Sequence, residues 1–173
     1  MFITKHIEKK INVDYFFIEG TIQIDSNYFI NKIESSINSL DNLNYKTNIK
    51  DKMTPFKFFN NDSVFLDLLP KFIDYIDENI VLQRYRLLEA WGFRVGHGGR
   101  TTFHNHIGAL WSGAIYLNDH EQTLDFPAID KKVKPADGRF VLFSSFLEHG
   151  CKKNLTHNYK YGLSFNMSEC GPL

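Results

Sequence analysis

From Arg84 onward the apolar residues recur with the period of strands rather than helices, and no other feature of the chain restricts its fold as strongly. Arg84 to Val95, Ala114 to Leu117, Thr123 to Phe126, Phe140 to Phe143 and Tyr159 to Asn166 are short runs rich in apolar, β-branched and aromatic residues. Gly, Asp, Asn and Pro stand between them, the punctuation that ends a strand and turns the chain. Several short strands in succession predict an antiparallel sandwich or jelly roll, so the chain reads as mainly β with N-terminal helices.

The first half supplies the helices. Ser26 is a candidate N-cap for a helix carrying Phe29, Ile30, Ile33, Ile37 and Leu40 on one face. A second helical pattern starts near Asp62 or Ser63 and aligns Phe65, Leu69, Phe72, Ile76 and Ile80, and Pro70 should kink or split it. Before these, Ile11 to Ile24 reads as strand, turn and strand with Glu19-Gly20 at the turn, a possible hairpin. Asp41 to Asn61 reads as an ordered loop that Phe56, Phe58 and Phe59 pack down.

At 173 residues the length predicts a single domain, 1–173, in which the helical first part (1–83) and the β second part (84–166) share one core. Lys plus Arg and Asp plus Glu both number 20, so no global field recruits nucleic acid or an anionic membrane. Charges interrupt the N-terminus Met1 to His6 before an apolar leader develops, and no stretch nears the roughly 18 apolar residues of a membrane span. The two cysteines, Cys151 and Cys170, form no CxxC pair and no disulfide framework, so the expected location is the reducing cytoplasm.

The candidate chemistry lies in Thr101-Thr102-Phe103-His104-Asn105-His106. In an extended segment alternate side chains share a face, so His104 and His106 would point to one side with room for an ion between the rings. A pair needs a third ligand. His149 follows the apolar run Phe140 to Phe143 and the turn Pro135-Ala136-Asp137-Gly138, where a strand end would present a ligand at a barrel mouth. Cys151, two residues on, is a weaker candidate for the metal.

Taken together, Trp91, Gly96, His104-Asn105-His106, Trp111-Ser112-Gly113-Ala114-Ile115-Tyr116-Leu117, Leu124-Asp125-Phe126, Gly138, Val141-Leu142-Phe143, His149, Asn154 and Lys160-Tyr161-Gly162-Leu163-Ser164-Phe165-Asn166 resemble the 2-oxoglutarate and Fe(II)-dependent oxygenases. The likeness covers roughly Arg84 to Asn166, and its nearest form is a branch reading His-x-His, Ser-Gly-x-x-Tyr-Leu, a late His and Ser-Phe-Asn. It implies a double-stranded β-helix (jelly roll, cupin-like) over 84–166, with Fe(II) held by His104, His106 and His149 and 2-oxoglutarate beside them. In that family the middle ligand is usually Asp or Glu. Here it is His106, and three neutral imidazoles leave the ion's charge to the cosubstrate carboxylates.

The family's anchor for the distal carboxylate of 2-oxoglutarate is usually an Arg on the last core strand, and Lys160 stands in that place. A lysine offers a point charge where a guanidinium offers a fork. Read alone, Lys160 is an ordinary surface lysine. Gly162, Ser164 and Asn166 share its strand face, Tyr116 is a further candidate donor to the cosubstrate, and Arg94 or Arg86 is the alternative anchor. Trp91 and Trp111 read as packing residues, His97 as an exposed loop residue, and His6, His120 and His157 as histidines without an assignable partner.

The expected activity is therefore a dioxygenase reaction that consumes 2-oxoglutarate and O2, releases succinate and CO2, and hydroxylates a small molecule or a protein side chain. Two alternatives stay open: a three-histidine, cupin-type dioxygenase that uses no 2-oxoglutarate, and a metal-stabilised binding module without turnover. The primary substrate is not legible, because loops such as Asp119 to Gln122 and Asp130 to Lys134 carry no specific signature.

Overall fold

The computed structural model describes residues 13–39, 47–80 and 84–170. Among these residues ten strands occur in order: β1 (Phe17–Thr21), β2 (Lys52–Met53), β3 (Tyr85–Val95), β4 (Thr101–His104), β5 (Trp111–Tyr116), β6 (Leu124–Phe126), β7 (Lys131–Val133), β8 (Arg139–Ser144), β9 (His149–Cys151) and β10 (Lys160–Glu169). Among the described residues three α-helices, α1 (Ser26–Ile37), α2 (Ser63–Leu66) and α3 (Leu69–Asn79), all precede β3. The strands form a six-stranded sheet ordered β1-β8-β5-β10-β3-β2 and a four-stranded sheet ordered β4-β9-β6-β7, every pairing antiparallel. This is the double-stranded β-helix, a jelly roll of two facing sheets.

Period-two alternation assigns the two faces of the large sheet to different cores. On β10, Leu163, Phe165 and Met167 turn toward the helices and join Phe29, Ile33, Phe65, Phe72 and Ile76. Trp91, Phe93 and Val95 of β3, Ala114 and Tyr116 of β5 and Val141 and Phe143 of β8 turn inward against Leu124, Phe126 and Val133 of the small sheet. Each large apolar side chain buried this way contributes about 1.5–3 kcal/mol. The outward face is thus sealed by helices, and the inward face is free to line a cavity.

Asp25, not Ser26, caps α1, accepting a hydrogen bond from the Tyr28 amide at 3.0 Å, and Phe29, Ile33 and Ile37 form its buried stripe. Leu40 lies outside the described residues. The second helical pattern divides at Pro70, as expected: Asp62 caps α2 and Pro70 sits in the first turn of α3, where its missing N–H costs nothing. Gly92 lets α1 approach, because a Cβ there would stand 2.3 Å from Cγ1 of Ile33.

The expected hairpin is absent among the described residues. Phe17–Thr21 runs through Glu19-Gly20 as one strand paired with β8, and Ile11 and Asn12 lie outside the described residues. Gly20 serves close packing instead of a turn, since a Cβ would meet the Phe140 ring at 2.8 Å. Gly138 is a true turn glycine, with φ of 73° and its carbonyl accepting from the Ile22 amide at 2.8 Å. In the expected loop, residues 40–46 lie outside the described residues, β2 adds an edge strand, and Phe59 is fully buried. Lys131–Val133, expected as loop, is β7, where Val133 opposite Leu124 fills the inner core.

Candidate metal centre

His104 ends β4 and His149 opens β9, and the two lie directly opposite in the antiparallel register. His149 is therefore within a strand and not just past one; the three-residue β9 is too short to leave a periodic trace in sequence. His106 does not continue β4. The strand stops at His104, and His106 is set by a turn in which its amide donates to the Ser145 carbonyl at 2.9 Å. The rings nevertheless converge, with centroid separations of 4.8 Å (His104 and His106), 4.5 Å (His104 and His149) and 5.2 Å (His106 and His149). One ring nitrogen from each lies within 4.8 Å of the others, a cluster that suits a single divalent ion.

Hydrogen bonds sort the ring nitrogens. Nδ1 of His104 lies 2.7 Å from the Thr102 carbonyl, and Nδ1 of His149 lies 2.9 Å from the Leu147 carbonyl. A carbonyl only accepts, so both Nδ1 atoms carry the proton and both Nε2 atoms keep a free lone pair. Burial holds the imidazoles neutral: His149 is pushed down to about 3 and His106 to about 4, with His104 also lowered. For His104 and His149, a neutral imidazole with its Nε2 lone pair free is what a metal requires. Phe126 and Phe143 flank His149.

His106 differs from the other two. Its Nδ1 stands 3.2 Å from Nδ2 of Asn166, which also donates to Glu89 at 2.7 Å, while Oδ1 of Asn166 accepts from the Ser112 hydroxyl at 2.7 Å. Asn166, expected beside the cosubstrate, lines the cavity and ties His106 to a carboxylate. Sequence reasoning missed Glu89, although its alternation with Trp91 and Phe93 on β3 marks an acid on the inward face.

The three histidines open into a cavity of about 170 Å³ between the sheets. Among the described residues lining it, Glu89 is the one carboxylate and Lys160 the one lysine or arginine; Tyr116, Ser164 and Asn166 also line it. Lys160 is not a surface lysine: it is 1% exposed, with Nζ 3.3 Å from Sγ of Cys151 and 3.4 Å from the Gln122 carbonyl. Burial lowers its pKa, and Cys151 opposes the shift. Tyr116 is buried in the wall and its phenol is pushed up, first by burial. Cys151 is not part of the metal-ligand cluster.

Arg94 is a correction. It sits on the helix-facing side of β3, one residue out of phase with Trp91 and Phe93, and its Nη1 donates to both carboxylate oxygens of Glu34 in α1 at 2.9 and 2.8 Å. Arg86 is exposed and lines no part of the cavity. Trp91 lines the cavity, whereas Trp111 packs in the helix-side core. His97 is exposed, as expected, but stacks on His157 at 5.1 Å, and His120 accepts from the Gln122 amide at 2.9 Å, so both of these histidines have partners. No helix among the described residues is long and apolar enough to cross a membrane.

No protein-family model matches the chain, and no curated protein matches it. Solved structures do. The viral collagen prolyl hydroxylase of Paramecium Bursaria Chlorella virus-1, in complex with 2-oxoglutarate, superimposes with a TM-score of 0.66 at 16% identity, over 88% of this chain and 94% of that one. A prolyl-4-hydroxylase of Pseudomonas putida gives 0.66 at 13% identity, over 90% and 93%. HygX of Streptomyces hygroscopicus, with nickel, 2-oxoglutarate and hygromycin B bound, gives 0.61 at 15% identity, over 89% and 82%. Across nearly its whole length, this chain has the fold of these oxygenase structures.

Proposed function

We propose that the chain is a 2-oxoglutarate and Fe(II)-dependent oxygenase that hydroxylates a small molecule or a protein side chain. The observation that carries this is the meeting, in one cavity, of three neutral histidines with a buried lysine that has no ion-pair partner among the described residues. His104, His106 and His149 would hold Fe(II), and Lys160 would hold the distal carboxylate of 2-oxoglutarate, with Tyr116 and Ser164 in the adjoining wall. Bound iron supplies the activation of O2 that couples loss of CO2 and formation of succinate to oxidation of a substrate carbon. The chain's own contribution is positioning. Carbonyl hydrogen bonds fix the rings of His104 and His149, and the apolar walls Phe93, Trp91 and Phe143 keep water from the reacting groups. We place the enzyme in the cytoplasm as one domain over 1–173, in keeping with its two free cysteines.

Anaerobic titration of the Fe(II)-loaded protein with 2-oxoglutarate tests this reading. A visible charge-transfer band from a chelated keto acid, followed by succinate on admission of O2, is expected. The three-imidazole ligand set also favours a second reading, a dioxygenase that binds its substrate without a keto acid. An iron-loaded protein that gives neither band nor succinate belongs to that reading.

A further inference from the structure

Cys151 ends β9 in the small sheet and Lys160 opens β10 in the large one, so their side chains meet across the interior. Both line the metal-centre cavity, and both are nine-tenths buried or more, at 5% and 1% exposure. Nζ stands 3.3 Å from Sγ, and its other hydrogen-bond contact is the Gln122 carbonyl at 3.4 Å. Burial lowers the pKa of Lys160 from its ordinary value, so its neutral form, the nucleophilic amine, is reached more readily than in a solvated lysine. An amine held this close to a sulfur needs no diffusional encounter once that sulfur becomes electrophilic.

We propose that Cys151 and Lys160 form an oxidation-driven covalent bond, a sulfenamide that closes the lysine end of the cavity. One hydrogen peroxide oxidises the Cys151 thiol by two electrons to the sulfenic acid, and the peroxide is reduced, leaving as water. Nζ of Lys160 then attacks Sγ. The S–N bond forms, the S–O bond breaks, and the departing hydroxide takes a proton from the amine and leaves as a second water. The sum is thiol, amine and peroxide giving sulfenamide and two waters. A thiol reductant supplies two electrons and restores both side chains. The bond itself does not depend on the proposed activity; its consequence, loss of the cosubstrate anchor, rests on that reading.

The test uses the full chain carrying Cys170→Ser, kept in zinc to avoid iron-catalysed peroxide chemistry, and treated with hydrogen peroxide. The expected result is a mass loss of about 2 Da and a peptide joining residues 151 and 160, both reversed by dithiothreitol. Added Cys151→Ser or Lys160→Arg should abolish the linkage. Gain of about 32 or 48 Da on Cys151 with Lys160 free, the sulfinic and sulfonic products, overturns the proposal, as does an unmodified Cys151. Linked protein should bind 2-oxoglutarate at least tenfold more weakly and recover on reduction. A linkage that forms and leaves that affinity unchanged upholds the bond and removes Lys160 from the anchor role.

Discussion

Replacing Lys160 by Met should move stability and cosubstrate affinity in opposite directions. The lysine is 1% exposed, no carboxylate forms an ion pair with it among the described residues, and its hydrogen-bond partners are the uncharged Gln122 carbonyl, at a long 3.4 Å, and the weakly accepting Cys151 sulfur. A buried cation so poorly compensated costs the empty protein free energy, and an apolar side chain of similar length removes that cost. Exchanges of buried charges for packed apolar groups stabilise by about 1–4 kcal/mol. For a domain of this size each kcal/mol moves Tm by about 2–4 °C, so Lys160→Met should melt roughly 2–16 °C higher. If the lysine anchors a carboxylate, its truncation should cost about 2–5 kcal/mol of binding, a thirtyfold to several thousandfold loss. Differential scanning calorimetry of the metal-loaded protein and calorimetric titration with 2-oxoglutarate read the two effects separately. Lys160→Arg should regain part of the affinity. Unchanged affinity together with a lower Tm would refute the reasoning, because the lysine would then be a structural residue.

His106→Asp should retain Fe(II) and keep or raise succinate formation, whereas His106→Ala should lose most of it; metal analysis and product assay of both variants check this. The depressed histidines make metal-free protein acid-labile. Between about 6.5 and the folded values of about 4 for His106 and 3 for His149, the unfolded chain binds more protons, so stability is lost as pH falls through that window, by several kcal/mol in total. Urea unfolding between pH 7 and pH 4 should show that slope, and His149→Phe should flatten it. Gly92→Ala should destabilise by about 1–3 kcal/mol, since its Cβ would stand 2.3 Å from Ile33, and chemical denaturation measures it.

What the sequence disclosed follows the range of the signal. Long periodic segments were legible: β3, β8 and β10, α1, and the helical pattern divided at Pro70 all announce themselves through spacing. Two- and three-residue strands such as β2, β7 and β9 are too short to carry a period, and pairing across the fold makes them strands. His104 and His106 were legible as a pair, although the end of β4 at His104, the turn at Ile107-Gly108 and the Ser145 carbonyl direct the second ring, and strand periodicity does not. Arg94 was misread because its neighbours Phe93 and Val95 face the inner core between the sheets, and a one-residue step reverses the face. Glu34, far away in α1, could be paired with it only through the tertiary fold.

The charges in the cavity bear on what it is built to hold. Among the described lining residues, one carboxylate, Glu89, and one lysine, Lys160, cancel, and the three imidazoles are neutral. A divalent cation therefore enters without a compensating first-contact carboxylate and leaves two positive charges in a largely apolar enclosure. Glu89 reaches His106 only through the Asn166 amide, so it lightens that burden without joining the ligand cluster. A dianion that chelates the metal at one end and meets Lys160 at the other would restore neutrality; a neutral ligand would not. Under the proposed function, His106 at the position where the resembled oxygenases usually carry a carboxylate leaves charge balance to 2-oxoglutarate, and His106→Asp should weaken 2-oxoglutarate binding even where it strengthens iron binding. Parallel titrations of the two proteins with metal and then with 2-oxoglutarate measure both, and tighter binding of 2-oxoglutarate to the Asp variant would contradict the electrostatic argument.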